Sequence, residues 1–146
     1  MTDLANLPGT QLPGSTYVVS ADDDRRYAEV VASTPATDGT VDPLWGFLGA
    51  LTGTGLGIEG LFALADCDVE RDGPMLGGFD LELDRQLHAD VPYRVDASVL
   101  SLDRKAGRSG TFDLMRVRAT LSDEGGVAAT CTTTYVVPRD RTGATA

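Results

Sequence analysis

Histidine is nearly missing from this chain: His88 is the only one in 146 residues. Zinc sites and histidine-based triads therefore have little to work with. Lysine is as scarce, with Lys105 alone, and the formal net charge is −10. Nucleic acid and anionic membrane both require a basic face, so neither is expected as a partner. Two cysteines, Cys67 and Cys131, stand in no metal-ligand spacing, and no metal or other cofactor is expected. The opening stretch from Met1 to Gly14 has neither the basic residues nor the apolar core of a secretory signal, which leads to the expectation of a cytoplasmic protein with reduced thiols. Aromatic residues make up 6% of the chain, and long apolar runs are equally rare.

One such run exists, from Asp42 to Leu64, and it reads as a buried central helix. Leu44, Phe47, Leu51, Ile58 and Leu61 share one apolar face at helical spacing, and Trp45, Leu48 and Leu56 share a second. The third side is glycine: Gly46, Gly49, Gly53, Gly57 and Gly60 follow steps of three and four. That side lets another backbone or an elongated ligand come close, and each glycine costs about 1 kcal/mol relative to alanine, which packing must return. Gly53-Thr54-Gly55 is the expected breaking point. Asp42 followed by Pro43 is a helix start, with an acceptor at the N-cap and a proline where the missing N–H is not needed. The run is also about the length of a transmembrane span and holds a GxxxGxxxG pattern, but its flanks carry Asp42, Asp66 and Asp68 without the basic residues that orient a span. A helix wrapped by a sheet explains more of the sequence.

A single domain over residues 15–138 is expected, with a flexible arm over 1–14 and a flexible tail over 139–146. Thr16 to Val19 reads as a strand, and Ser20 caps a helix from Ala21 to Ala32 whose apolar side is Tyr27, Val30 and Val31, with Asp22, Asp23 and Asp24 solvated. Ser33 to Val41 is turn chemistry, and Asp66 to Pro74 a charged loop. Phe79, Leu81 and Leu83 alternate with Asp80, Glu82 and Asp84 as a half-buried antiparallel strand. Further strands are expected over Tyr93–Leu102, Phe112–Leu121 and Val127–Val137, with Arg104 to Gly110 as a hairpin loop.

This order resembles the hot-dog fold, an α+β architecture in which an antiparallel sheet of about five strands wraps a long central helix. Within it the chain resembles the MaoC-like acyl-thioester hydratases and dehydratases, over about Tyr17 to Pro138. Arg26-Tyr27-Ala28-Glu29-Val30 is similar to that family's first helix, Val41-Asp42-Pro43 with Phe47 to the entry of its central helix, and Arg85-Gln86-Leu87-His88-Ala89-Asp90 to its Arg-Pro-Leu-x-x-Gly-Asp turn. The closing GGVAATCTTTYVVPR has the family's shape.

The resemblance implies reversible, (R)-specific hydration of an enoyl thioester carried on coenzyme A or acyl carrier protein. In the family an aspartate and a histidine activate the water, and a backbone N–H at the head of the central helix polarises the carbonyl. Here the connection from Tyr27 to Asp42 is short and has no histidine: Asp38 is its nearest carboxylate, and His88 lies in a distant turn. The resemblance therefore implies a non-catalytic subunit that pairs, edge to edge, with a catalytic hot-dog chain. Two alternatives stay open: a stand-alone hydratase or thioesterase with Asp42 or Glu59 as catalytic carboxylate, and a homodimer that holds a lipid or acyl ligand without turnover. Arg104, Lys105 and Arg108 are candidate contacts for the phosphates of a coenzyme A thioester substrate, and Trp45, Gly46, Gly49 and Gly53 are candidate lining for an acyl tunnel.

Overall fold

The computed structural model describes residues 3–108 and 110–139. Five antiparallel strands form one sheet: β1 (Ser15–Tyr17), β2 (Met75–Leu83), β3 (Tyr93–Gly107), β4 (Gly110–Asp123) and β5 (Gly126–Pro138), in the spatial order β1-β3-β4-β5-β2. Helix α1 (Ala21–Val30) follows β1, and α2 (Leu44–Thr52), α3 (Gly57–Leu64) and the single turn α4 (Val69–Asp72) precede β2. Alternate residues of β3, β4 and β5 face inward: Val95, Ala97 and Val99, then Met115, Val117, Ala119 and Leu121, then Cys131, Tyr135 and Val137. Against this concave face lies α2. Adding α2 turns a sheet with one apolar face into a closed core, as the sequence led one to expect.

The apolar run is two helices rather than one, bent by 66° at the expected place. Gly55 turns the corner at φ +86, and a Cβ there would lie 2.5 Å from the Gly14 carbonyl oxygen, so no other residue fits. The freed end of α2 is closed by the N-terminal segment: Ser15 Oγ donates to the Gly53 carbonyl (3.0 Å) and the Gly14 N–H to the Thr54 carbonyl (2.8 Å). Among the described residues no single helix is long and apolar enough to cross a membrane.

Residues 3–14 are not a free arm. Leu7 and Leu12 are buried in the core, and the Gly9 and Leu12 N–H groups donate to the Val99 and Ala97 carbonyls along the outer edge of β3. The sequence signal of a loose segment was its proline and glycine content, but those residues serve here to follow a sheet edge. Of the expected tail over 139–146, Arg139 is held by Asp113 and by the Ala65 and Asp66 carbonyls, and 140–146 lie outside the described residues.

Other expectations shift as well. Helix α1 ends at Val30, which is 84% exposed, and its buried side is Asp24 and Ala28 with Tyr27 beside them. The segment Arg104 to Gly107 belongs to β3, so the strand runs through most of the expected hairpin loop. Cross-strand partners for every residue from Leu102 to Gly107 explain why this polar stretch stays extended. Asp68 accepts the Arg71 N–H and caps α4 inside the expected charged loop. Strand β2 is more exposed than its alternation suggested, because it is the last strand of the sheet.

Candidate functional site

The head of α2 is where the resemblance stated above implies free backbone N–H groups. Asp42 Oδ1 instead accepts the Leu44 N–H at 2.9 Å, and the next two amides, of Trp45 and Gly46, donate to the Asp42 and Pro43 carbonyls. The Asp42 carboxylate thus caps its own helix, as the Asp-Pro start implied. A fixed carboxylate at this point opposes any negative charge developing on a substrate oxygen.

A second carboxylate, Asp24, holds this head in place. It is 7% exposed, and its Oδ1 accepts both the Asp42 N–H (3.0 Å) and the Trp45 Nε1–H (2.9 Å). The Trp45 ring meets Tyr27 edge-on, with centroids 5.8 Å apart. One side chain therefore fixes α1 against the start of α2. Its burial was missed at the sequence level because Asp22, Asp23 and Asp24 look alike as a charged triplet; the spacing of Asp24, Tyr27 and Ala28 by three and four residues was the available signal.

Between α1 and the 33–41 loop lies a cavity of about 210 Å³ lined by Asp24, Tyr27, Thr34, Asp42 and Gln86, next to another of about 240 Å³ that shares Asp24 and Thr40. A larger cleft of about 470 Å³ lies beyond the bend, lined by Glu59, Asp66, Cys67, Asp68 and Glu70. Its acidic lining is unsuited to the phosphates of an anionic thioester. Glu59 is exposed on the first turn of α3. It is separated from Asp42 by the whole of α2, about 13 Å of helix, so the two candidate carboxylates do not meet.

The glycine side of α2 is filled. A Cβ on Gly49 would lie 2.7 Å from the Tyr17 ring and 2.9 Å from Leu121 Cδ2, and one on Gly53 would lie 2.7 Å from Val95 Cγ2. A Cβ on Gly46 would meet Leu81 Cδ1 at 3.1 Å. These glycines bring helix and sheet together, and among the described residues the space over each is taken by a side chain of the sheet; Trp45 points to Asp24 and Tyr27.

Arg104 is not a free cation. With Arg139 it surrounds Asp113, which is 2% exposed; Arg139 Nε donates to Asp113 Oδ2 at 2.8 Å and its other nitrogens to the Ala65 and Asp66 carbonyls at the end of α3. Burial pushes the Asp113 carboxyl up, but the hydrogen bonds and charges of the two arginines outweigh it and hold it below the usual range. Lys105 sits opposite Phe112 in the β3–β4 ladder, and Arg108 is exposed in the turn.

The fold brings His88 and Asp38 to one corner, where the Val41 N–H donates to the Leu87 carbonyl, the Ala89 N–H donates to the Gly39 carbonyl, and Thr40 bridges His88. Asp38 accepts from the Thr40 hydroxyl and N–H, which, with a contribution from His88, keep its carboxyl low. Both side chains are exposed there, outside the enclosed space that protects water activation. Burial raises both thiols, Cys67 and Cys131, and raises Tyr17 and Tyr135 to about 12, so none of these is a ready nucleophile or base at neutral pH.

No family model matches the sequence, and no curated protein matches it. Solved structures do. The C-terminally truncated HadBC (3R-hydroxyacyl-ACP dehydratase) complex from Mycobacterium tuberculosis aligns over 93% of this chain and 100% of its own, with TM-score 0.69 and 14% identity. The ChsH1-ChsH2 complex from the same organism aligns over 94% and 93%, with TM-score 0.63 and 13% identity. A MaoC-like dehydratase reaches TM-score 0.65 and 22% identity over 92% of this chain, which spans 43% of that protein. With its five-stranded antiparallel sheet around a bent central helix, the chain has the hot-dog fold, which these solved structures share.

Proposed function

We propose that this chain is a non-catalytic MaoC-like subunit of acyl-thioester metabolism, one that completes an enoyl-thioester hydratase or dehydratase with a second hot-dog chain carrying the water-activating aspartate and histidine. The observation that carries this reading is the closed head of α2. Asp42 takes the Leu44 N–H, the following amides are used by carbonyls, and Asp24 ties down both Asp42 and Trp45. A helix start arranged in this way is stable and chemically silent. The filled glycine face supports the same reading, since an acyl chain must then run beside this subunit and not through it.

The test is hydration of a trans-2-enoyl-CoA, followed by loss of the enoyl thioester absorbance. The pure chain should show no turnover, and activity should arise on adding a MaoC-type catalytic subunit that is inactive by itself. Turnover by the chain alone, abolished in Asp42→Ala or Glu59→Ala, would replace this reading with a stand-alone enzyme.

A further inference from the structure

Asp24 is 7% exposed, and both hydrogen bonds that it accepts, from the Asp42 N–H and the Trp45 indole N–H, end on Oδ1. Among the described residues nothing donates to Oδ2. That oxygen is nevertheless not sealed in: among the described residues the one fully enclosed side-chain oxygen or nitrogen without a partner is Ser101 Oγ. Asp24 Oδ2 therefore opens into the two cavities that Asp24 lines, between α1 and the 33–41 loop. Buried carboxylate oxygens are normally paired, so an idle one facing a cavity marks a place for a donor.

The charge around it decides which donor. Asp42 lines the first cavity together with Asp24, and among the described residues neither carboxylate forms an ion pair. The rest of that lining is uncharged, and Tyr27, Thr34 and Gln86 add hydroxyl and amide oxygens. Two carboxylates without a cation repel an anion and draw a positive charge. A metal ion lacks its ligands here, since among the described residues no three His, Cys, Asp or Glu side chains come together to hold one. An ammonium group, with three donors to direct at acceptors, fits two carboxylates and a hydroxyl. The second cavity is walled mainly by Ala21, Pro35, Ala36, Val41 and Ala89. Its one cationic neighbour, Arg25, is already engaged by Asp22 and Glu29. That end suits a hydrocarbon and disfavours a second positive charge.

We propose that the cavities at Asp24 form a binding site for a small primary alkylamine, its ammonium held between Asp24 Oδ2 and the Asp42 carboxylate and its alkyl chain lying along the apolar walls of the second cavity. The site goes beyond the subunit reading. It uses the acidity that a thioester oxygen would avoid, and it requires no second chain.

Trp45 reports on the site, because it is the only tryptophan and its indole N–H donates to the same carboxylate. The probe is n-butylammonium chloride, small enough for cavities of about 210 and 240 Å³. Titrated into the full chain in physiological salt, it should change the Trp45 emission saturably, with a Kd of about 1 mM or tighter. Butan-1-ol, which has the size without the charge, should bind about tenfold more weakly or worse, and 1,4-diaminobutane, which brings a second charge toward Arg25, severalfold more weakly. Asp24→Asn keeps a carbonyl for the Asp42 and Trp45 donors but turns an amide toward the ammonium, and should weaken binding about tenfold. Asp42→Asn keeps the helix cap and should weaken it severalfold; it decides the matter where Asp24→Asn does not unfold cooperatively in urea. Asp23→Asn, on the same helix but outside both cavities, should leave binding unchanged. No saturation up to about 50 mM, or equal binding of butan-1-ol or of the diamine, overturns the proposal. So does an equal loss in Asp23→Asn, which would leave only diffuse attraction to an acidic surface. None of these measurements reads enoyl-CoA turnover, so failure of the amine site and failure of the subunit reading are separable.

Discussion

Alanine at the glycines of α2 distinguishes a packed helix face from an acyl passage. On an open face, Gly49→Ala would stabilise the helix by about 1 kcal/mol through backbone propensity. In the structure the new Cβ lies 2.7 Å from the Tyr17 ring and 2.9 Å from Leu121 Cδ2. Tyr17 is on a three-residue edge strand and can yield, but Leu121 is fully buried and cannot. Overpacking of this kind costs about 1 to 3 kcal/mol, so the net loss at Gly49 should be about 1 kcal/mol. Gly53→Ala should be worse. That residue follows the last turn of α2, gains little from propensity, and meets both methyls of Val95, at 2.7 and 2.8 Å, beneath a side chain that is 1% exposed. A loss of about 3 kcal/mol is expected there, or roughly 10 °C in Tm for a domain of this size. Gly46→Ala is tight only against the end of Leu81, at 3.1 Å on a half-buried edge strand, with Leu87 Cδ1 and Ala129 Cβ at ordinary contact distances of 3.4 and 3.7 Å, and should fall near neutral. Urea unfolding with unchanged m-values measures the series. If Gly49→Ala and Gly53→Ala were as stable as the wild type, or more so, the face would be open and the acyl-passage reading of these glycines would return.

Asp24→Ala leaves the Asp42 N–H and the Trp45 indole N–H without their acceptor, and should cost about 2 to 4 kcal/mol. Because Trp45 is the only tryptophan, its emission should shift to the red as the indole gains water, and Asp24→Asn, which keeps a carbonyl acceptor, should recover part of both effects. The Asp113 carboxyl is lowered in the folded state, so its contribution is complete above the ordinary aspartate value of about 3.9 and is lost as pH falls through the folded value. Asp113→Asn should therefore flatten the stability profile below about pH 4, read by chemical denaturation at successive pH values. Arg139→Ala removes a buried partner of Asp113 together with the links to Ala65 and Asp66, and should cost about 3 kcal/mol. Arg104→Ala, whose side chain is 59% exposed, should cost much less; equal losses in the same urea assay would show that the outer arginine carries the Asp113 contact.

The apolar run, the Asp42-Pro43 start, the break near Gly53 and the alternating strands were all legible in the sequence, because each is a local signal: a period, a cap, a cluster of flexible residues, a pattern of two. Those signals set the α+β class and the order of elements. They also placed the carboxylate at the head of α2, since an Asp followed by Pro has few other uses. They could not say which of the acidic residues in α1 is buried. Asp24 is distinguished from Asp22 and Asp23 only by what stands across from it, the amide of Asp42 and the indole of Trp45, which are 18 and 21 residues away. The same is true of Arg104 and Arg139, which converge on Asp113 from different strand ends, and of residues 3–14, whose lack of periodicity hid a path along β3. The place of β2 at the end of the sheet was likewise invisible in the alternation of Phe79 to Leu83, because a strand does not carry its rank in the sheet. Sequence by itself determined the elements and their joints, which depend on neighbours along the chain; the tertiary structure alone decided which charges are buried, which glycines are filled and which strand comes last, because these depend on partners far away in sequence.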